Sequence, residues 1–262
     1  MLFKNSQRDV NIEVPSHINK IIIKMSGGAD STILAYLLTL YKKEERPDIQ
    51  LLPATTNGYK PKNWHIKYAK KIVSKITELT GVEFGTHYTN EMLLPEAGVP
   101  ENYFGVGTDK DLDVAAKASS YCSTQTTLTD DIRSKLGSDT TVQFSGITAN
   151  PPRSVSTFYE DYRKGDPKWP ADAPFIIERD PDVHHIQNSD DFGRYSWQKP
   201  FCNLDKRVIY EYYVRYNLVD NLFSLTRSCE NEQEKLIDPN NEKHCEKCWW
   251  CLERHWAFGR YV

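Results

Sequence analysis

The sequence predicts an α/β fold: a five-stranded, mostly parallel sheet with helices on both faces, followed by a small C-terminal subdomain built on cysteines. Three observations predict it. Strand-like and helix-like segments alternate from residue 19 to 150. A β-branched run, Ile21-Ile22-Ile23, leads through a Gly-Gly turn directly into a helical pattern. Four of the six cysteines gather near the end, at Cys229, Cys245, Cys248 and Cys251.

The 262 residues suffice for one large domain plus an appendage. Net charge is −3 with both signs mixed, so no global basic field announces a nucleic-acid partner, and none is expected. No apolar run reaches membrane-spanning length, so no membrane partner is expected. Met1 to Glu13 lacks the apolar core of a signal peptide, and the expected location is cytoplasmic.

Taken in order, Ile21 to Lys24 reads as a buried strand, and Ile33, Leu34, Leu37, Leu38 and Tyr41 fall at helical spacing. Between them, Ser26-Gly27-Gly28-Ala29-Asp30-Ser31-Thr32 places a tight turn at a helix N-terminus. Backbone N–H groups and the positive end of the helix dipole then make an anion site. Gly27 and Gly28 allow a phosphate to approach the backbone, and Ser26, Ser31 and Thr32 add hydroxyls. Asp30 is out of place there unless a cation bridges it to the phosphates, which Mg²⁺ does.

Ile49 to Ala54 reads as the second strand. It ends in Thr55-Thr56-Asn57-Gly58-Tyr59 at the carboxyl edge, where open parallel sheets bind ligands, so Thr55 and Thr56 are candidates for the adenosine side of a nucleotide. Trp64, Tyr68, Ile72, Ile76 and Leu79 predict an amphipathic helix stopped by Gly81. Its other face carries Lys67, Lys70, Lys71 and Lys75, read as a solvated face. Val82 to Tyr88 reads as a third strand, and Asp111 to Leu136 as a helix that includes Cys122. Thr140 to Asn150 reads as a fourth strand, with Gly146 among the small residues at its ligand edge. The stretch 151–197 is rich in Pro, Asp and aromatics and poor in periodicity, as an ordered cover over a site would be. Asp205 then caps a helix running from Lys206 to Asn217. A lysine in a helix's first turn opposes the dipole, and a nearby anion would justify it.

The cysteine gaps are fifteen, two and two residues. Four thiolates at this spacing suit a closed tetrahedral Zn²⁺ site, structural rather than hydrolytic, and an iron–sulfur cluster is the rival. The ion would hold the final helix, with Leu252, His255, Trp256 and Phe258, against the rest of the chain.

The Ser-Gly-Gly-x-Asp-Ser turn resembles the pyrophosphate loop of the ATP pyrophosphatase family, which has the adenine nucleotide alpha hydrolase-like fold. The Pro200-Phe201-x-x-Leu204-x-Lys206 segment follows, then Ser228-Cys229, and then Cys245-x-x-Cys248-x-x-Cys251-Leu252-Glu253-Arg254-x-x-Ala257-Phe258. In this order these are similar to the 7-cyano-7-deazaguanine synthases. The resemblance covers 21–41 and 198–258 best. It implies ATP, Mg²⁺ and Zn²⁺ as cofactors, and ligation of ammonia to 7-carboxy-7-deazaguanine to give a nitrile, often by a homodimer. It also implies that Ser26 to Thr32 and Gly146 bind the nucleotide, beside Thr55 and Thr56 as read from the strand edge, that Asp30, Ser31 and Lys206 are catalytic, and that the four cysteines hold the metal.

The chain departs from that pattern at Lys206-Arg207-Val208, where the family's Lys-x-Glu lacks its Glu, and in the long spacer between Cys229 and Cys245. The expected division is 1–225, an ATP-binding α/β domain with 151–197 inserted, and 226–262, a cysteine subdomain. Competing readings are a tRNA thiolase, a sulfonucleotide reductase, or a nucleotide-binding module without catalysis. The Glu-Cys-Gly nucleophile of a reductase is absent, and the intact Ser26, Asp30 and Ser31 favour an enzyme.

Overall fold

The computed structural model describes residues 1–56, 64–92, 125–149, 151, 155, 197–229 and 242–261. Several expectations lie outside them: Asn57 to Tyr59, the first half of the helix from Asp111 with Cys122, Asn150, most of the 151–197 segment, and most of the cysteine spacer.

A two-residue antiparallel pair, β1 (Leu2–Phe3) and β2 (Val10–Asn11), opens the chain. Next come β3 (Lys20–Lys24), α1 (Ala29–Glu44), β4 (Gln50–Thr55), α2 (Trp64–Thr80) and β5 (Tyr88–Thr89). They are followed by α3 (Gln125–Leu136), β6 (Thr141–Ser145), β7 (Trp197–Gln198), α4 (Lys206–Arg215) and α5 (Trp249–Phe258). The main sheet has five strands in the order β5-β4-β3-β6-β7, and every neighbouring pair is parallel.

The helices lie on both faces, as strand alternation requires. Ile21 and Ile23 point to one side and pack with Ile33, Leu37, Ala69, Ile72, Val208 and Tyr212 of α1, α2 and α4. Ile22 points to the other side and packs with Leu128 and Ile132 of α3. The strand order reverses between β3 and β6, the topological switch point, where a crevice opens at the carboxyl edge of an open α/β sheet. The turn at Ser26 and the β6 exit at Gly146 both leave the sheet there.

The helix boundaries follow local chemistry. Gly81, at φ +69°, ends α2, and its N–H reaches the Thr77 carbonyl. Asp205 caps α4 by accepting from the Arg207 N–H, as expected. The helix stops short of the expected Asn217, which turns into the left-handed region at φ 54°.

Three strand expectations need correction. The third strand is confined to Tyr88–Thr89, because Val82 to His87 runs beside β4 without ladder pairing. The Gly85 N–H meets the Leu51 carbonyl, and a Cβ on Gly85 would lie 2.6 Å from the Gln50 side chain. The fourth strand ends at Ser145, where Gly146 turns under α1. The fifth strand, β7, includes Trp197–Gln198, so the end of the expected 151–197 insertion belongs to the sheet.

Candidate active site

β3 ends at Lys24, and the Met25 N–H bonds back to Ala54, so the chain leaves the sheet at a fixed point. Gly27 then turns at φ +79°, and a Cβ there would come within 3.2 Å of the Tyr68 Cβ of α2. Gly28 is the N-cap of α1 and supplies no capping side chain. The first N–H groups of α1, at Ala29, Asp30 and Ser31, therefore have no intrahelical acceptor and no side-chain cap from the N-cap residue, the condition of an anion site. The loop hydroxyls shape the turn. Ser31 Oγ donates to the Gly28 carbonyl and lies 3.2 Å from Ser26 Oγ, and Ser26 Oγ accepts from the Gly28 N–H. Thr32 Oγ1 is turned inward onto the Gly28 carbonyl at 2.8 Å. Gly146 provides the seat: a Cβ there would come within 2.7 Å of the Asp30 carbonyl carbon and oxygen.

An ion triad lies beside the loop. Lys206 Nζ is 2.9 Å from Asp30 Oδ2 and 2.6 Å from Glu253 Oε2 of α5. Burial alone would lower the Lys206 pKa, but Asp30 and Glu253 outweigh it and hold the ammonium above its ordinary value. Asp30 Oδ1 is buried and has no hydrogen-bond partner among the described residues. A buried carboxylate oxygen left open beside phosphate-ready N–H groups suits a divalent cation. The Tyr213 hydroxyl, kept un-ionised by burial, donates to the Ala29 carbonyl and fixes the start of α1.

Ser26, Gly28, Asp30, His65, Lys206, Arg227, Ser228, Trp250 and Glu253 line a cleft of about 230 Å³. That is smaller than a typical cofactor pocket, so the cleft has room for only part of such a ligand. His65 Nδ1 donates to the Ser26 carbonyl at 2.9 Å, which fixes the ring's orientation. The Arg227 N–H bonds the Gly27 carbonyl at 2.8 Å, tying the strip before Cys229 to the loop.

The four cysteine sulfurs lie within 4.8 Å of one another, with Cys245 and Cys251 3.9 Å apart and Cys248 and Cys229 4.0 Å apart. One ion at about 2.3 Å from each sulfur would space them about 3.8 Å apart, so the set fits a single tetrahedral ion. Hydrogen bonding and crowding by Cys229 and Cys248 push the Cys251 thiol up, so ionising the set needs a cation. α5 starts at the cluster, with Cys248 as its N-cap. Arg254, fully buried on α5, donates to the Thr226 hydroxyl, the Ser228 hydroxyl and the Tyr261 carbonyl, and locks this helix to the strip from Phe223 to Ser228.

The structure thus brings Ser26 to Thr32 together with Lys206, and brings Cys229, Cys245, Cys248 and Cys251 together beside them. Gly146 is adjacent as a seat for the helix terminus. Thr55 and Thr56 are at the carboxyl edge but do not line this cleft; Thr55 is buried with its hydroxyl 2.8 Å from His87 Nε2. Sequence reasoning missed Glu253, His65, Trp250, Arg227 and Ser228 as site residues. Glu253 was visible within Cys-Leu-Glu-Arg, and nothing in its spacing pointed to Lys206, 47 residues earlier. Lys24 was also missed, although a lysine closing an Ile-Ile-Ile strand is a signal. It is 5% exposed, lies over the Trp197 ring on the α3 face, and is pulled down to about 7 chiefly by burial, against the attraction of Asp130.

No family model matches the chain, and no curated protein matches it. Among solved structures it is similar to "U34-tRNA thiolase NcsA from Methanococcus maripaludis with its [4Fe-4S] cluster", at 16% identity and TM-score 0.41, covering 92% of this chain and 71% of that one. It is similar to NAD+ synthetase from Burkholderia pseudomallei, at 11% identity and TM-score 0.38, covering 93% and 81%. It is also similar to NMN synthetase from Francisella tularensis, at 12% identity and TM-score 0.38, covering 92% and 87%. Likeness this low assigns no activity.

Proposed function

We propose that the chain is an ATP-dependent ligase that adenylates a carboxylate, releases pyrophosphate and transfers ammonia to the acyl group. By the sequence resemblance, the carboxylate is 7-carboxy-7-deazaguanine and the final product its nitrile. The observation that carries the reading is the buried, unpartnered Asp30 Oδ1, set beside an uncapped helix start and the Lys206 ammonium at the sheet's switch point.

Each residue has a role in it. The N–H groups of Ala29, Asp30 and Ser31 take phosphate oxygens. Ser26 and Ser31 hold the turn in shape. Asp30 would hold Mg²⁺, which supplies charge neutralisation on the leaving pyrophosphate. Lys206 has three N–H bonds, two of them committed to carboxylates, and the third would serve a phosphate oxygen. The substrate carboxylate attacks the α-phosphorus and the α–β bridging bond breaks. Ammonia then displaces AMP from the acyl-adenylate. The amide oxygen then attacks the α-phosphorus of a second ATP, pyrophosphate leaves, and departure of AMP with that oxygen and loss of the two N–H protons give the nitrile. The chain's contribution is positioning and fixed charge rather than a nucleophile. Cys229, Cys245, Cys248 and Cys251 would hold Zn²⁺, whose chemistry there is to fold and hold α5.

Incubation with ATP, ammonium and 7-carboxy-7-deazaguanine, read by mass spectrometry, tests this. The nitrile together with AMP supports it, and AMP formation with a different acid redirects the substrate alone.

A second reading, sulfur transfer to an RNA, is favoured by one observation. Lys67, Lys71 and Arg227 surround the Tyr68 ring at 5.8, 5.6 and 4.9 Å, a basic edge beside the cleft. That reading calls for iron and sulfide at the cysteines, whose close sulfur spacing favours a single ion. Iron and acid-labile sulfide in the purified protein would favour it.

A further inference from the structure

We infer that Arg227 and Ser228 form the second wall of the polyphosphate subsite, with the Arg227 guanidinium binding the pyrophosphate portion of the nucleotide across the cleft from Lys206. The inference rests on the ATP reading above and deepens it, since neither residue follows from the motifs of the sequence.

The argument starts from charge. The charged groups lining the cleft are Asp30, Glu253, Lys206 and Arg227, with His65 beside them. Lys206 is neutralised by two carboxylates within 3 Å. Arg227 has no carboxylate partner among the described residues. Its Nη1 donates only to carbonyls of its own strip, to Ser224 at 3.0 Å and Thr226 at 2.8 Å. Its Nε is buried with no hydrogen-bond partner among the described residues. A buried guanidinium N–H left open is costly unless an acceptor arrives, and a phosphate oxygen is the acceptor that a guanidinium fits best.

The guanidinium is also held in place before any ligand comes. It lies 4.9 Å from the Tyr68 ring centroid, and Tyr68 in turn backs Gly27. The Arg227 N–H is bonded to the Gly27 carbonyl, so the residue moves with the loop. Ser228 Oγ lies 3.8 Å from where a Cβ on Gly28 would stand, so this wall faces the N-cap of α1 directly. Ser228 Oγ accepts from Arg254 at 3.3 Å, so its own hydroxyl hydrogen is left to donate to a ligand in the cleft. Cys229 follows at once, and the cysteine centre therefore fixes the far end of the same wall.

Inorganic pyrophosphate with Mg²⁺, titrated calorimetrically into the full chain, tests this. Wild type should bind, and R227A should bind roughly 10–100-fold more weakly, with R227K between them. Melting temperature and metal content of each variant control for folding. A measurement on unmodified protein stands beside the variants: phenylglyoxal should label Arg227, as read by peptide mass spectrometry, and Mg-pyrophosphate should protect it. A folded R227A that binds within twofold of wild type, or labelling of Arg227 indifferent to pyrophosphate, overturns the Arg227 assignment and leaves the nucleotide reading standing. Wild-type protein that binds no pyrophosphate overturns the nucleotide reading, and the Arg227 assignment with it.

Discussion

Replacing Lys206 with methionine keeps the length of the side chain and removes the charge. The side chains of Lys206, Asp30 and Glu253 are 11%, 21% and 9% exposed, so solvent screens the triad little. Without the ammonium, two carboxylates that share one cation are left facing each other. Removing one partner of a buried ion pair costs about 3–5 kcal/mol. The partial access of Asp30 to water puts this case near the lower end, about 3 kcal/mol. For a chain of this size that is a fall in Tm of roughly 6–12 °C. The pH dependence has a definite sign. Asp30 and Glu253 raise the folded-state pKa of Lys206 above the ordinary 10.5, in spite of burial. The stabilisation is therefore complete below pH 10.5 and is lost only as pH climbs past it through the raised folded value. The assay is scanning calorimetry of wild type, K206M, E253Q and the double variant, from neutral to alkaline pH. The double variant should fall short of the sum of the singles by about 1–3 kcal/mol, because removing Glu253 relieves the repulsion that K206M creates. A K206M protein melting within about 2 °C of wild type would refute the reasoning.

Asp30→Asn and Ser31→Ala should each reduce ATP turnover by about 100-fold or more, because both act on the phosphate end of the site; Ser31→Ala should melt close to wild type, and Asp30→Asn, which also takes a carboxylate from Lys206, should melt lower. Steady-state AMP release checks this. Gly146→Ala should cost about 1–3 kcal/mol and distort the start of α1, because its Cβ would meet the Asp30 carbonyl at 2.7 Å. Denaturant titration measures it. Cys248→Ser should lose bound metal and lower ATP affinity as well as stability, because Trp250 and Glu253 follow that ligand on the helix it starts. Metal analysis and nucleotide titration report the two effects separately. His87 is pushed down to about 4, chiefly by burial and then by Lys70, so it favours the folded state fully above pH 6.5 and loses that contribution as pH falls toward 4. His87→Gln should remove up to about 3 kcal/mol of that acid sensitivity, read as the difference in Tm between the two pH values.

Local signals made the centre of the fold legible. Ile21 to Ile23 alternate between the two faces of β3, and the Gly-Gly turn falls at the switch point because strand, turn and helix are contiguous in sequence. The clustering of the cysteines was equally readable, since three of the four lie within seven residues. What stayed hidden depends on contacts between distant segments. Glu253 reaches Lys206 only because α5 packs against α4, and Arg227 reaches the loop through one backbone bond to Gly27. The short strands, Leu2–Phe3, Tyr88–Thr89 and Trp197–Gln198, carry too few residues for a period of two to show. Thr55 lies at the strand end as its sequence position suggested, and its hydroxyl contact with His87, 32 residues on, is one that no local signal shows.

The position of the bond broken in ATP tests the central claim most directly. With the carboxylate and ammonium present, the chain should release AMP and pyrophosphate in equal amounts, and Asp30→Asn should stop both. ADP and phosphate as products, or binding of ATP with no cleavage under any acid supplied, would contradict the account.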